Sequence, residues 1–164
     1  MMKKLLLPVL FLFSVLGFSQ DLETIRAQYP KAKDSSEITD QLYEELSEVP
    51  EDQVVLSAYK GAVSALKADF AKGVGKKINF IKEGANLLDN AVAAEPDNVE
   101  VRYLRLTVQE NAPAIVGYHG NIDDDKEVIK KNYSAIKSDS LKTVIKGFVE
   151  ISSNFDESEK AEFQ

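Results

Sequence analysis

An all-α fold follows from three features of the chain. Apolar residues recur at every third or fourth position over most of its length, cap-forming residues open those stretches, and no segment sustains the alternation of a strand. The brief alternation of Val99, Val101 and Tyr103 lies inside a longer helical spacing. The expected architecture is an antiparallel array of about six or seven helices joined by short loops, forming a single domain over residues 20–164.

Residues 1–19 read as a secretory signal peptide. Lys3 and Lys4 give a basic start, residues 5–13 an apolar run, and Gly17 and Ser19 the small residues before a cut after Ser19. A membrane anchor is the competing reading, but the run falls short of the roughly 18–20 apolar residues a span needs. Pro8, Ser14 and Gly17 also interrupt it. Two of the 20 basic residues leave with the signal, so 18 basic face 27 acidic residues and the remaining charge is −9. That balance excludes a nucleic-acid surface, which needs a clustered basic face to displace counterions. The absence of cysteine excludes disulfides, thiolate chemistry and Cys-ligated zinc. The expected location is the periplasm or the medium, with no stable membrane insertion. About 145 residues remain after the cut, enough for one core without covalent staples.

In chain order, residues 21–29 place Leu22, Ile25, Ala27 and Tyr29 at helical spacing, with Pro30 expected to stop them. Ser36 is expected to cap an amphipathic helix over 37–49, carrying Ile38, Leu42, Tyr43 and Leu46 inward. Pro50, Glu51 and Asp52 suit the start of the next, a long helix over 51–71. Gly61 inside it costs about 1 kcal/mol relative to alanine, which points to the close approach of a neighbour. Residues 72–76 read as a hairpin loop, and the helix over 76–94 carries Ile78, Ile81, Gly84, Leu88, Ala91 and Val92 on its buried side.

Pro96, Asp97 and Asn98 then turn the chain and cap a central helix that runs to Asn111. On a helical wheel of about 100° per residue, Val99, Tyr103 and Leu106 fall on one side and Val101, Leu104 and Val108 nearly opposite. Two apolar faces imply two neighbours. A short segment over 113–116 is broken between Gly117 and Gly120. Asn121 is expected to cap a helix whose first turn, Asp123, Asp124 and Asp125, complements the helix dipole, with Ile122, Ile129, Tyr133 and Ile136 inward. Asp139 is expected to cap the last helix, with Leu141, Val144, Ile145, Phe148 and Ile151 inward, and the acidic tail after Ser153 is expected to fray.

Between the two apolar faces of the central helix run a stripe of Arg102, Arg105 and Gln109 and, on the other flank, Glu100, Thr107 and Asn111. Paired guanidiniums fork onto a carboxylate or phosphate, because arginine presents donors in one plane. The alternative is that they pair with the chain's own acids, for example Glu95 or Asp123, and brace the helices. His119 is the single histidine, set beside Tyr118. With no cysteine it makes a poor transition-metal set.

Residues 121–125 resemble the opening of a calcium loop, but Lys126 stands where glycine is required and Asn132 where a bidentate glutamate is required. Residues 73–77 lack the spacing and the Ser or Thr of a phosphate-binding loop. The candidate binding residues are therefore Arg102, Arg105, Gln109, Tyr118 and His119, with no catalytic residue, metal or cofactor assigned. The expected function is a non-catalytic binding or scaffolding module for a protein or peptide bearing an acidic group. A small hydrolase or ligand-binding enzyme around Tyr118, His119 and Asp123 and a purely structural envelope protein are the alternatives.

Gly84, Leu88, Ala91 and Pro96, followed by Asp97 and Asn98, resemble the second helix and closing turn of a tetratricopeptide repeat. The likeness covers about one helix and a turn. Where the family's preceding helix carries large aromatic and small positions, this chain has Ala68, Ala71, Lys72 and Gly75. The next repeat would fall on Arg102, Arg105, Leu106 and Gln109. The resemblance thus implies a divergent helical hairpin protein, not a regular array. On its signal and on residues 102–125, the chain is also similar to small exported helical proteins of Bacteroidetes-type bacteria. Neither resemblance implies catalytic residues.

Overall fold

The computed structural model describes residues 21–164, so the signal peptide reading lies outside the described residues. These form an all-α helical array with no strand among them. Its helices are α1 (Leu22–Ala32), α2 (Ser36–Glu45), α3 (Val54–Phe70), α4 (Val74–Ala94), α5 (Val99–Asn111), α6 (Ile122–Asn132), α7 (Asp139–Ile151) and α8 (Glu157–Ala161). Short 3-10 turns at Ala114–Val116 and Tyr133–Ala135 complete the order.

Several boundaries move from their expected places for local reasons. α1 does not stop at Pro30 but runs on to Ala32. Pro30 loses its own amide bond and its ring crowds the Arg26 carbonyl, a cost confined to the last turns. Ala32 is fully buried and its carbonyl accepts a 2.7 Å hydrogen bond from Thr39 Oγ1, which holds the extra turn in place. Ser35, not Ser36, caps α2, and Ser138, not Asp139, caps α7 by accepting from the Leu141 amide. Asn98 caps α5 as expected, its Oδ1 accepting from the amides of Glu100 and Val101. Asn121 precedes α6 without a side-chain cap bond.

α3 and α4 form the tightest pair, a helical hairpin closed by residues 71–73. The Gly61 expectation of close approach is met, and its counterpart is Gly84. A Cβ built on Gly84 would lie 2.4 Å from the Gly61 carbonyl oxygen, and one on Gly61 would lie 2.9 Å from the Gly84 oxygen. Backbone thus rests on backbone, which only glycine permits.

α5 is the inner helix, packed against α3, α4, α6 and α7. Its buried Val101, Leu104 and Leu106 join Ile25, Leu42, Tyr59, Leu88, Ile129 and Ile145 in one apolar cluster. The tail does not fray. Phe155 and Phe163 are 3% and 2% exposed, Asp156 and Glu159 form a capping box at α8, and Lys126 and Lys130 pair with Glu159. The two phenylalanines pin to the core a segment whose acidic composition suggested solvent.

Gly84→Ala should lower unfolding free energy by about 1–3 kcal/mol despite alanine's better helix propensity, because the added methyl forces the hairpin apart. At Gly147 of α7 a Cβ meets nothing within 4 Å, so Gly147→Ala should raise stability by about 0.5–1 kcal/mol. Urea denaturation of both variants checks the contrast.

Candidate functional site

The arginine stripe of α5 meets a single carboxylate. Asp125 is fully buried, and its Oδ1 accepts from Arg102 Nη1 at 2.8 Å and Arg105 Nη2 at 2.7 Å. Its Oδ2 accepts from Arg105 Nε at 2.9 Å and Gln109 Nε2 at 2.7 Å. Further polar atoms of the three side chains are also engaged. Arg105 Nη1 reaches Asp89 Oδ1 at 3.2 Å, Arg102 Nε donates to the Pro96 carbonyl, and Gln109 Oε1 accepts the Asn121 amide at 2.9 Å. The acids involved are Asp125 and Asp89, not Glu95 or Asp123. Asp125, grouped by sequence with the dipole-complementing acids, instead lies inside the protein as the stripe's partner.

Tyr118 donates to Asp89 Oδ1 at 2.9 Å, and His119 Nε2 sits 2.9 Å from the Ala112 carbonyl oxygen. Among the described residues, Tyr118, His119 and Asp123 share no hydrogen bond with one another, and no three His, Cys, Asp or Glu side chains are gathered to hold a metal ion.

On the other flank of α5 a second carboxylate is enclosed. Glu100 is 3% exposed, and Arg26 of α1 forks onto it through Nε at 2.7 Å and Nη2 at 2.6 Å. The Tyr59 hydroxyl donates to the same carboxylate at 2.9 Å. Sequence placed Glu100 on a polar flank. Its partners lie 74 and 41 positions away, beyond the reach of any spacing rule.

Nearly opposite the stripe, a chamber of about 780 Å³ opens beside α5 between α1, α3, α4 and α7. Ala65, Leu66, Ile81, Val108, Val144 and Phe148 give it apolar walls, and Tyr29, Tyr103 and Thr107 line it more deeply. Lys33, Asp69, Lys77 and Glu110 carry the charge at its rim. α7 presents Thr143, Gly147 and Ile151 in one stripe at four-residue spacing. Ile151, expected inward, is 81% exposed at the chamber's edge.

None of the five residues singled out by sequence lines the chamber. A second, more open depression of about 450 Å³ lies beside Asn98, Glu100, Ile136 and Leu141, where the one buried acid is already held by Arg26 and Tyr59.

The depth of the chamber is aromatic. Tyr103 packs edge-on against Tyr29 at 6.4 Å and against Phe148 at 5.4 Å between centroids. Thr107 Oγ1 donates its proton to the Leu104 carbonyl at 2.8 Å, so in the 2.7 Å contact between the two hydroxyls Tyr29 is the donor. The Tyr103 hydroxyl has no hydrogen-bond partner among the described residues. Every described side-chain polar atom shut off from solvent has one. The Tyr103 hydroxyl is therefore not shut off, and Tyr103 is one of the residues that line the chamber. Small residues, Ala65 and Ala68 on α3 and Gly147 on α7, line this space, which exists only once α1, α3, α4, α5 and α7 are assembled.

Asp125→Ala would leave the buried Arg105 with only its longer pairing to Asp89 and the half-buried Arg102 without its carboxylate, and should cost about 3–5 kcal/mol, read by thermal or urea unfolding. Burial pushes the Tyr29 phenol up to about 12 and raises those of Tyr59 and Tyr103 well above the ordinary tyrosine value. Unfolded tyrosine ionises near 10, so the contribution of the neutral Tyr29 phenol is whole below about pH 10 and is lost as pH rises through 12. A phenolate absorbance titration followed alongside circular dichroism should show these tyrosines ionising only as helix is lost. Ionisation of all six near pH 10 with the helix signal intact would contradict this.

Comparison with protein-family models, with curated proteins and with solved structures finds no match to the chain.

Proposed function

We propose that the protein is an exported, non-catalytic binding module that holds an apolar ligand in the chamber beside α5. The observation that carries this reading is the chamber itself, at about 780 Å³, apolar in its walls and charged only at its rim. Small-molecule sites are commonly concavities of about 300–1,000 Å³ with few polar groups among apolar walls. Binding is favoured over catalysis by the chemistry of the lining. The enclosed phenols are kept neutral by burial and are poor nucleophiles and poor bases, and the charged groups of the lining, Lys33, Asp69, Lys77 and Glu110, stand at the rim. Export draws on the pattern of residues 1–19 and on the acidic balance of the chain.

A second reading, a protein or peptide partner whose apolar residue enters the chamber, draws on the exposed Ile151 and on Ile115, which is 82% exposed in the turn after the chamber-lining Pro113.

Nile red, a neutral carbonyl-bearing dye, should brighten on binding the purified protein. Gly147→Phe, which adds a ring beside the opening where no atom opposes it, should weaken that binding at least about tenfold while far-UV circular dichroism is unchanged. Equal binding by the variant would exclude the chamber. Partner capture that Ile151→Asp abolishes, with dye binding retained, would favour the second reading.

A further inference from the structure

We infer that the chamber takes an uncharged, mainly hydrocarbon molecule of single-chain lipid size whose carbonyl or hydroxyl oxygen accepts a hydrogen bond from Tyr103. The inference rests on the chamber being the binding site and names what that site selects.

Three observations carry it. Tyr103 is 2% exposed, lines the chamber and keeps an O–H without a protein acceptor, although other enclosed polar groups around α5 are partnered. Solvent entering the chamber would serve that donor. A ligand that displaces the water without supplying an acceptor leaves a buried donor unpaired and loses affinity. An oxygen in the ligand restores the bond.

Second, the neighbouring Tyr29 has committed its proton to Thr107, so its oxygen offers only lone pairs. The depth of the chamber therefore presents one donor and one acceptor. A carbonyl satisfies the donor and a hydroxyl satisfies both.

Third, charge is absent from the depth. The charged lining residues, Lys33, Lys77, Asp69 and Glu110, stand at the rim with two of each sign, so the mouth selects neither anion nor cation. The nearest enclosed carboxylate, Glu100, is already neutralised by Arg26 and held by Tyr59. A charged head carried to Tyr103 would lose its hydration with no counter-ion to replace it.

Competition against Nile red by 2-decanone and by decane tests the assignment. The protein should bind the ketone about three- to tenfold more tightly than the alkane. Tyr103→Phe keeps the ring contacts to Tyr29 and Phe148 and should erase that preference while leaving decane unchanged. A preference that survives in Tyr103→Phe, with both competitors still blocked by Gly147→Phe, overturns the role of Tyr103 and leaves the chamber reading standing. Decanoate at neutral pH competing more tightly than 2-decanone overturns the claim that the ligand is uncharged. Failure of Nile red to bind at all overturns the chamber reading and this inference with it.

Discussion

Two enclosed carboxylates, Glu100 and Asp125, fix where α5 lies, and the rest of the structure is arranged around that helix. Each is 3% exposed or less, and each is met by a forked arginine and a second donor. Burying such pairs gains little net stability, because desolvation offsets most of the Coulomb attraction. The penalty for separating them is large. A slide or rotation of α5 by one residue would strip Glu100 from Arg26 and Asp125 from Arg105 together, leaving unpaired charge in the core. The pairs act as register pins, one to α1 and one to α6, while Asp89 and Tyr118 extend the second to α4.

That register aims Tyr103 and Thr107 into the chamber. With α5 held on both flanks, the edge-on ring contacts pass from Tyr59 through Tyr29, Tyr103, Phe148 and Phe155 to Phe163, joining α3, α1, α5 and α7 to the tail. Contacts of this kind carry a geometric preference beyond their buried area. They explain why the tail is ordered. Phe155 and Phe163 are the end of an aromatic series that runs from α3 through α1, and between them Glu159 pairs with Lys126 and Lys130.

The helices from α1 to α7, their order and most of their inward faces were legible because each depends on a period of about 3.6 residues and on caps within one turn. The central helix was found at its observed bounds, with both apolar faces. The close approach at Gly61 was legible as well, since a glycine inside a helix calls for a reason. Partner choice was not. Arg102, Arg105 and Gln109 stand on one stripe, but which acid meets them depends on how α6 docks, and Asp125 differs from Asp123 and Asp124 only by its place on that helix. The tail was misjudged because charge was counted and the two phenylalanines were not. The chamber had no linear signature, because its lining is drawn from α1, α3, α4, α5 and α7.

Gly147 shows how the chamber bears on the chain's composition. A glycine within a helix costs roughly 1 kcal/mol relative to alanine, and two structural needs commonly justify that cost. One is a positive φ, and Gly147 is not among the glycines that have one, Gly73 and Gly117. The other is close backbone contact, as at Gly61 and Gly84, but a Cβ on Gly147 would meet nothing within 4 Å. What remains is space. Gly147 lies between Thr143 and Ile151 on the α7 stripe that lines the chamber, and any side chain there would narrow the opening. Under the binding role proposed for the chamber, a side chain at this position would strengthen α7 and narrow the opening together, a conflict expected where an open site is maintained at some expense of stability.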